Sequence, residues 1–361
     1  MNKRKNILLA PLDWGIGHAT RCVPIINSLQ KKDVNVIIAS SGRAASFLQA
    51  EFPSLEHVHI PEYGIRYPRK GGMLMQMLRQ LPAIQRSINR EHRVLDSLID
   101  KYRIEAVISD NRFGMWSSKV VCIYITHQVR VKAPAGLSFI EGILNKMHRK
   151  YIRQYDECWI PDILEDGGLS GELAHNSKCP VPSYYIGPQS RFNLPAGPSP
   201  EKKYDLMAII SGPEPQRSIF EEIVLKQLKK SPYRALVLLG KPEIRMKPEI
   251  SGNIEIHAHM HTDAMQEAML SSDLIICRPG YSGIMDLSLL GCPAVLVPTP
   301  GQTEQEYLAA YHQQKHHYYS VSQAKLNISN IVQASRNYPG LKIRHQSDIL
   351  HERIDKLLSS L

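Results

Sequence analysis

The sequence is poor in several features that would narrow its function quickly. Six cysteines stand at 22, 122, 158, 179, 277 and 292, and none forms a CxxC pair. Neither a zinc site nor a disulfide framework is suggested, and a reducing cytosol fits best. No apolar run approaches the roughly 20 residues of a membrane span. The basic start, residues 1–5, is followed by an apolar run that breaks at Pro11 and Asp13, too short for a secretory signal. Acid is in deficit: 44 Lys and Arg against 34 Asp and Glu give a net charge of +10. Such a charge attracts nucleic acid, an anionic leaflet or phosphorylated substrates. Aromatics are only 7% of the chain and do not interleave with the basic residues, which argues against a single-strand nucleic-acid platform. The first glycine loop has G-x-G at Gly15 and Gly17 but no third glycine, and no acidic residue ends the strand after it. A nicotinamide cofactor is therefore not expected.

What is present points to an α/β protein of two domains. The chain has 361 residues, 43% of them hydrophobic, enough for two cores. Its most informative stretch is 274–307. An apolar run at 274–276 reads as a buried strand, Gly280 and Gly283 punctuate a turn, and Ile284, Leu287 and Leu290 keep a helical spacing that Gly291 and Pro293 stop. A second strand, 294–297, ends at Pro298, and the polar cluster 301–307 opens another helix. Ligands sit beyond the carboxyl ends of parallel strands, and a helix start there offers free N–H groups to an anion. Asp286 lies about a turn and a half into its helix, where it could hydrogen-bond a ribose diol.

The N-terminal half begins the same way, with a strand at 6–10, the loop 11–21 and a helix to about 31. Further strands are expected at 34–39, 105–109 and 121–125. Asp110 and His127 follow the last two, at the sheet edge where an acceptor could lie. Strands at 206–210 and 235–239, a stretch 254–260 leading to a helix at 262–270, and a final helix over 348–361 complete the pattern. The Pro- and Gly-rich segment 194–203 reads as the interdomain linker. The alternating His257, His259 and His261 invite a zinc site but lack convincing partners. Residues 71–101 should be helical, mixing Met73, Leu74, Met77 and Leu78 with Arg79, Arg86, Arg90 and Arg93. That mixture suits either docking on an anionic bilayer or a core helix with a solvated basic face.

The segment 273–311 resembles the donor-binding half of GT-B glycosyltransferases of family 28, in particular the branch that transfers N-acetylglucosamine from UDP in peptidoglycan synthesis. Weaker likenesses lie at 6–21 and 187–212. The resemblance implies two Rossmann-like domains facing across a cleft: 1–190 on the acceptor side, 204–340 for the nucleotide sugar, and 341–361 as a helix returning to the first. It implies an inverting transfer from a nucleotide donor, UDP-linked by expectation, to an acceptor hydroxyl. That acceptor could be lipid-linked or a cell-envelope glycan, and the location cytoplasmic or peripheral on the inner face of the plasma membrane. By the same resemblance Asp286 holds the ribose, where glutamate is usual, and Gln305 holds the sugar. Glu306 replaces a usual second glutamine and leaves the sugar's identity open. Gly15, Gly17 and His18 match the loop that faces the donor, with His18 a candidate base beside its rivals Asp110 and His127. Arg191, Ser211, Gly212, Arg217, Arg278, Gly280 and Ser282 would meet the diphosphate, and Met265 would pack near the base. No DxD triplet occurs, so neither a metal nor another cofactor is expected. A UDP-sugar 2-epimerase, a non-catalytic nucleotide-sugar binder and, on charge alone, a nucleic-acid binder are the rival readings.

Overall fold

The computed structural model describes residues 4–63, 73–134, 136–194, 197, 200–241, 244, 246–343 and 347–361. The side chains at 73–79, 81 and 347 lie outside that description, as do Arg66, Arg69 and Lys70, so much of the basic and apolar mixture expected around 71–101 falls there. The chain divides into two compact units. One runs to Ser190 and includes the last helix; the other runs from Arg191 to Ile343.

The N-terminal unit holds a seven-stranded sheet. Its strands are β1 (Asn6–Pro11), β2 (Asn35–Ser40), β3 (Glu56–His59), β4 (Ala106–Asp110), β5 (Val121–Ile125), β6 (Glu157–Ile160) and β7 (Ser183–Tyr185). They lie in the order β3-β2-β1-β4-β5-β6-β7, every pair parallel. The helices are α1 (Gly17–Gln30), α2 (Gly42–Glu51), α3 (Met73–Tyr102) and α4 (Glu141–Ile152). Both faces of the sheet are covered, which explains why β1 and β4 read as unbroken apolar runs. Ile7 and Leu9 face a core formed with α1 and α2, while Leu8 and Ala10 face Leu95, Leu98 and Ile99 of α3 and Ile152 of α4. The period of two along the strand sets this division.

The second unit repeats the plan. Its strands are β8 (Tyr204–Ile209), β9 (Ala235–Leu238), β10 (Glu249–Ser251), β11 (Ile254–His257), β12 (Ser272–Cys277), β13 (Ala294–Leu296) and β14 (Tyr319–Ser320). Their order is β10-β11-β9-β8-β12-β13-β14, parallel except for the β10–β11 hairpin. Helices α5 (Gln216–Leu228) and α9 (Ile328–Ala334) pack on one face, and α6 (Thr262–Leu270), α7 (Tyr281–Leu290) and α8 (Thr303–Gln314) on the other. Gly291 ends α7 in the left-handed conformation, φ 68°, and a Cβ there would come within 3.1 Å of Lys342. Glycine is the residue that meets both demands.

Helix α10 (Ser347–Ser360) belongs to the N-terminal unit. Leu350, Ile354 and Leu357 enter the core under α1, and Lys32 donates to Asp355 at 2.8 Å. In each sheet the chain builds outward one way, then crosses back to continue on the other side of its first strand. The crossing lies between β1 and β4 in the first sheet, and between β8 and β12 in the second. Ligands in open α/β sheets bind at such crossings, beyond the carboxyl ends.

Candidate active site

Beyond the carboxyl end of β1, Gly15 takes a left-handed φ of 85°, and its N–H bonds Asp13 O at 2.9 Å. This tight turn starts α1 immediately and puts His18 in its first turn. The loop is held from below by Arg112, fully buried, which donates to Pro11 O at 2.8 Å and to Ser41 Oγ at 2.9 Å and pairs with buried Glu91.

The three rivals for the base, His18, Asp110 and His127, are neighbours. His18 Nδ1 lies 3.1 Å from Asp110 Oδ1. What joins them is a residue sequence reasoning missed. Arg21, 2% exposed, donates from Nε to Asp110 Oδ2 at 2.7 Å and from Nη2 to Oδ1. Its Nη1 lies 3.0 Å from His127 Nδ1, and its Nη2 lies 2.9 Å from His18 Nδ1. The signal was available: Arg21 is one turn from His18 on a helix face that continues as Cys22, Ile25 and Ile26, and a cation in an apolar stripe must be paired. Burial pushes the Asp110 carboxyl upward, but the Arg21 charge and then His18 outweigh it and hold the acid well below the usual range. Burial and then Arg21 lower the His18 pKa, against an upward pull from Asp110. His18 is therefore neutral at physiological pH, with 15% of its side chain exposed.

A ring proton on Nδ1 would give Asp110 a donor and leave a lone pair on Nε2, at the cost of setting Nδ1–H against the Arg21 Nη2 donor 2.9 Å away. This is the orientation in which a buried carboxylate fixes the useful tautomer of a histidine base. His127 faces Arg21 Nη1.

The C-terminal edge is furnished differently. Ser211 and Gly212 follow β8, with Gly212 at φ 110°. Gly280 is the N-cap of α7, and Ser282 is its second residue. The helix begins just beyond β12, at the crossing, without a side-chain cap. Asp286 is the sixth residue of α7 and is buried. After β13 the loop folds onto α8: Gln305 Oε1 accepts from Thr299 N at 2.8 Å, Glu306 Oε1 accepts from Gly301 N at 2.8 Å, and Gln302 Oε1 accepts from Gln305 N at 2.6 Å. With Oε1 engaged, the NH2 group is what the Gln305 side chain has left to offer. Arg191 and Met265 are in contact, Arg191 Nη2 lying 2.6 Å from Met265 Sδ.

Two arginines expected at the diphosphate are committed elsewhere. Arg278, 3% exposed, donates to Val297 O, Pro298 O, Gln216 O and Gln323 Oε1 and lies over the Phe220 ring at 4.1 Å. Burial brings its pKa down to about 10. Arg217 is also buried, donating to Leu239 O at 3.0 Å and pairing with Glu214. Both tie loops of the edge together through their Nη donors, while the buried Nε of each has no hydrogen-bond partner among the described residues. Thr299, by contrast, was missed. It is 1% exposed, its hydroxyl has no hydrogen-bond partner among the described residues, and a Cβ on Gly212 would lie 3.8 Å from it. Unmatched buried hydroxyls are costly, and this one borders the loop expected to meet phosphate. His257 pairs with Glu255 at 2.6 Å, and no metal-holding cluster of His, Cys, Asp or Glu occurs among the described residues.

Comparison with known proteins bears on the family and the fold. Residues 217–339 match the model of the glycosyltransferase family 28 C-terminal domain, and residues 5–131 match a glycosyl transferase family 1 model. The chain is similar to the UDP-N-acetylglucosamine–N-acetylmuramyl-(pentapeptide) pyrophosphoryl-undecaprenol N-acetylglucosamine transferase of Nocardia farcinica, 24% identical over 81% of this chain and 76% of the relative. The enzyme of the same name from Histophilus somni is 22% identical over 96% of this chain and 93% of its own length. The crystal structure of the glycosyltransferase SnogD from Streptomyces nogalater shares the fold. Its TM-score is 0.65 at 12% identity, covering 99% of this chain and 100% of that one.

Proposed function

From a chain that is a family 28-like glycosyltransferase of the GT-B fold, we propose an inverting transfer of a sugar, N-acetylglucosamine or a related hexose, from a UDP-linked donor to an acceptor hydroxyl. The observation that carries this reading is the His18–Asp110 pair at the crossing of the first sheet. It supplies a neutral base beside a helix N-terminus. His18 Nε2 takes the acceptor's proton, and the resulting imidazolium is stabilised by Asp110. The acceptor oxygen attacks the anomeric carbon from the side opposite UDP, so the configuration inverts as the diphosphate leaves. Charge building on that diphosphate is met without a metal by amides at the start of α7, by Ser211, Ser282 and Thr299, and by Arg191. Asp286 binds the ribose diol, and Gln305 NH2 binds the donor sugar.

The relatives' names specify a pyrophosphoryl-undecaprenol acceptor. By that likeness we assign this chain a lipid-linked acceptor and a peripheral place on a membrane surface. No described helix is long and apolar enough to cross a membrane.

The test is incubation with UDP-N-acetylglucosamine with and without a membrane lipid extract. Acceptor-dependent release of UDP, lost in His18→Ala, is the expected outcome. Formation of the 2-epimer without any acceptor would replace transfer by epimerisation, and binding without turnover on any extract would leave a nucleotide-sugar binder.

A further inference from the structure

Away from the candidate site, two side chains carry chemistry that sugar transfer does not use. Five of the six cysteines are buried, and Cys179 alone is partly open to solvent. Cys158 lies in β6, in the core shared with α3 and α4, and Cys179 packs against that core from the segment that enters β7. The segment is held along β6. Cys158 N donates to Pro182 O at 2.9 Å, and Pro180 and Pro182 fix the backbone on either side of Val181. The two thiols meet there: Cys158 Sγ–H donates to the Cys179 sulfur, which also accepts from Val181 N–H and feels the charge of Arg149 on α4. The bond from Cys158 lowers the Cys179 pKa below the ordinary thiol value; burial opposes it, and the Val181 amide and Arg149 add to the lowering. The same bond, then burial, raises Cys158. Burial pushes up the thiols of Cys22, Cys122, Cys277 and Cys292.

We propose that Cys158 and Cys179 form a site of reversible oxidation by hydrogen peroxide, with Cys179 the attacking thiolate and Cys158 the resolving thiol. Reactive cysteines are partly exposed and sit among donors and cations, whereas fully buried thiols are inert. Cys179 meets both conditions, and the other cysteines fail the first. The Cys179 thiolate attacks one peroxide oxygen and the O–O bond breaks. Cys179 becomes a sulfenic acid, and the second oxygen leaves as hydroxide. The Cys158 sulfur then attacks the Cys179 sulfur, the S–O bond breaks, and the hydroxyl leaves as water with the Cys158 proton. Peroxide is thereby reduced, to water once its hydroxide is protonated, and the two thiols are oxidised to one disulfide. A thiol already in hydrogen-bond contact intercepts the sulfenic acid before a second peroxide can reach it. An external dithiol reverses the step by exchange, so the bond would be transient in a reducing compartment. Oxidation removes the thiolate near Arg149 and ties β6 covalently to the segment that enters β7. None of this rests on the transferase reading.

The test treats the reduced, folded protein with hydrogen peroxide, blocks remaining thiols with iodoacetamide after unfolding, and maps the peptides by mass spectrometry. The expected product is a Cys158–Cys179 disulfide, with Cys22, Cys122, Cys277 and Cys292 still alkylated, and dithiothreitol should return both thiols. In Cys179→Ser the peroxide-driven loss of thiols should slow by roughly tenfold or more. In Cys158→Ser the oxidation should stop at a Cys179 sulfenic acid that dimedone traps. Both variants should keep the wild-type melting temperature, and the peptide map of the wild-type protein decides the matter even if one of them does not fold. Both thiols left free after peroxide, or Cys179 carried to sulfinic acid with Cys158 untouched, would overturn the proposal. So would undiminished thiol loss in Cys179→Ser, since another cysteine would then be the attacking one. The readout needs neither donor nor acceptor, so a failed transfer assay would count against the transferase reading alone.

Discussion

At the carboxyl edge of the N-terminal sheet, ionisable side chains are packed against one another. Asp110, Arg21, His18 and His127 share hydrogen bonds in a space nearly closed to water. At the corresponding edge of the C-terminal sheet the candidate ligand groups are mostly backbone amides, hydroxyls and a carboxamide, and the two nearest arginines are turned into the loops. Under the proposed transfer, the contrast follows from what each edge would have to do. A proton acceptor must have its charge state and tautomer fixed, which takes a rigid ionic network. A diphosphate brings its own charge, and neutral N–H donors at a helix start can hold it and release it.

The largest expected effect bearing on this contrast is on turnover. His18→Ala should cut kcat by roughly 10²–10⁴-fold, the usual worth of a general base, with little change in donor affinity. An equal loss of donor affinity would move His18 from chemistry to binding. Arg21→Ala comes next. It strands a buried carboxylate, and denaturant unfolding should show a loss of about 3–5 kcal/mol; an unchanged midpoint would mean that Asp110 is not held as described. Thr299→Val separates the edges from the other side. Removing an unmatched buried hydroxyl should leave the free protein as stable or slightly more so, while calorimetry should show UDP binding weakened by about 1.5–3 kcal/mol if the hydroxyl meets phosphate. The smallest effect is on pH dependence. Because burial and Arg21 lower the His18 pKa, the neutral base persists below the ordinary histidine value of 6.5. The acid limb of kcat/KM should therefore lie below pH 6.5, activity falling as pH drops through the lowered value. Asp110, depressed further, stays ionised throughout that window. A limb above pH 6.5 would contradict this.

Periodicity and glycine punctuation made most of the fold legible. The long strands, α1, α6, α7 and the last helix fall within a few residues of their expected places, because buried parallel strands are continuous apolar runs and Gly291 marks a helix end. The short edge strands β3, β7, β10 and β14 left no such signature: Glu56–His59 and Glu249–Ser251 carry polar side chains, and it is their neighbours that make them strands. Helix α4 was missed because its apolar residues divide between an inner face and an exposed one, which blurs the period.

Within the candidate site, motif residues on loops could be named from sequence, but their mutual geometry could not. His18, Asp110 and His127 looked like competitors because they are 92 and 17 residues apart in the chain, and only the register of β1, β4 and β5 brings them to one point. Arg278 and Arg217 misled for the complementary reason. A cation next to a glycine loop looks like a phosphate ligand until its burial and carbonyl partners are seen.

The division of labour between the two edges is tested most directly by thermal shift with UDP on three proteins: wild type, His18→Ala and Asp286→Ala. Wild type and His18→Ala should be stabilised alike, while Asp286→Ala, with its unliganded melting point kept, should show no shift. A full UDP shift in Asp286→Ala, or its loss in His18→Ala, would contradict the assignment of donor binding to the C-terminal edge and proton transfer to the N-terminal one.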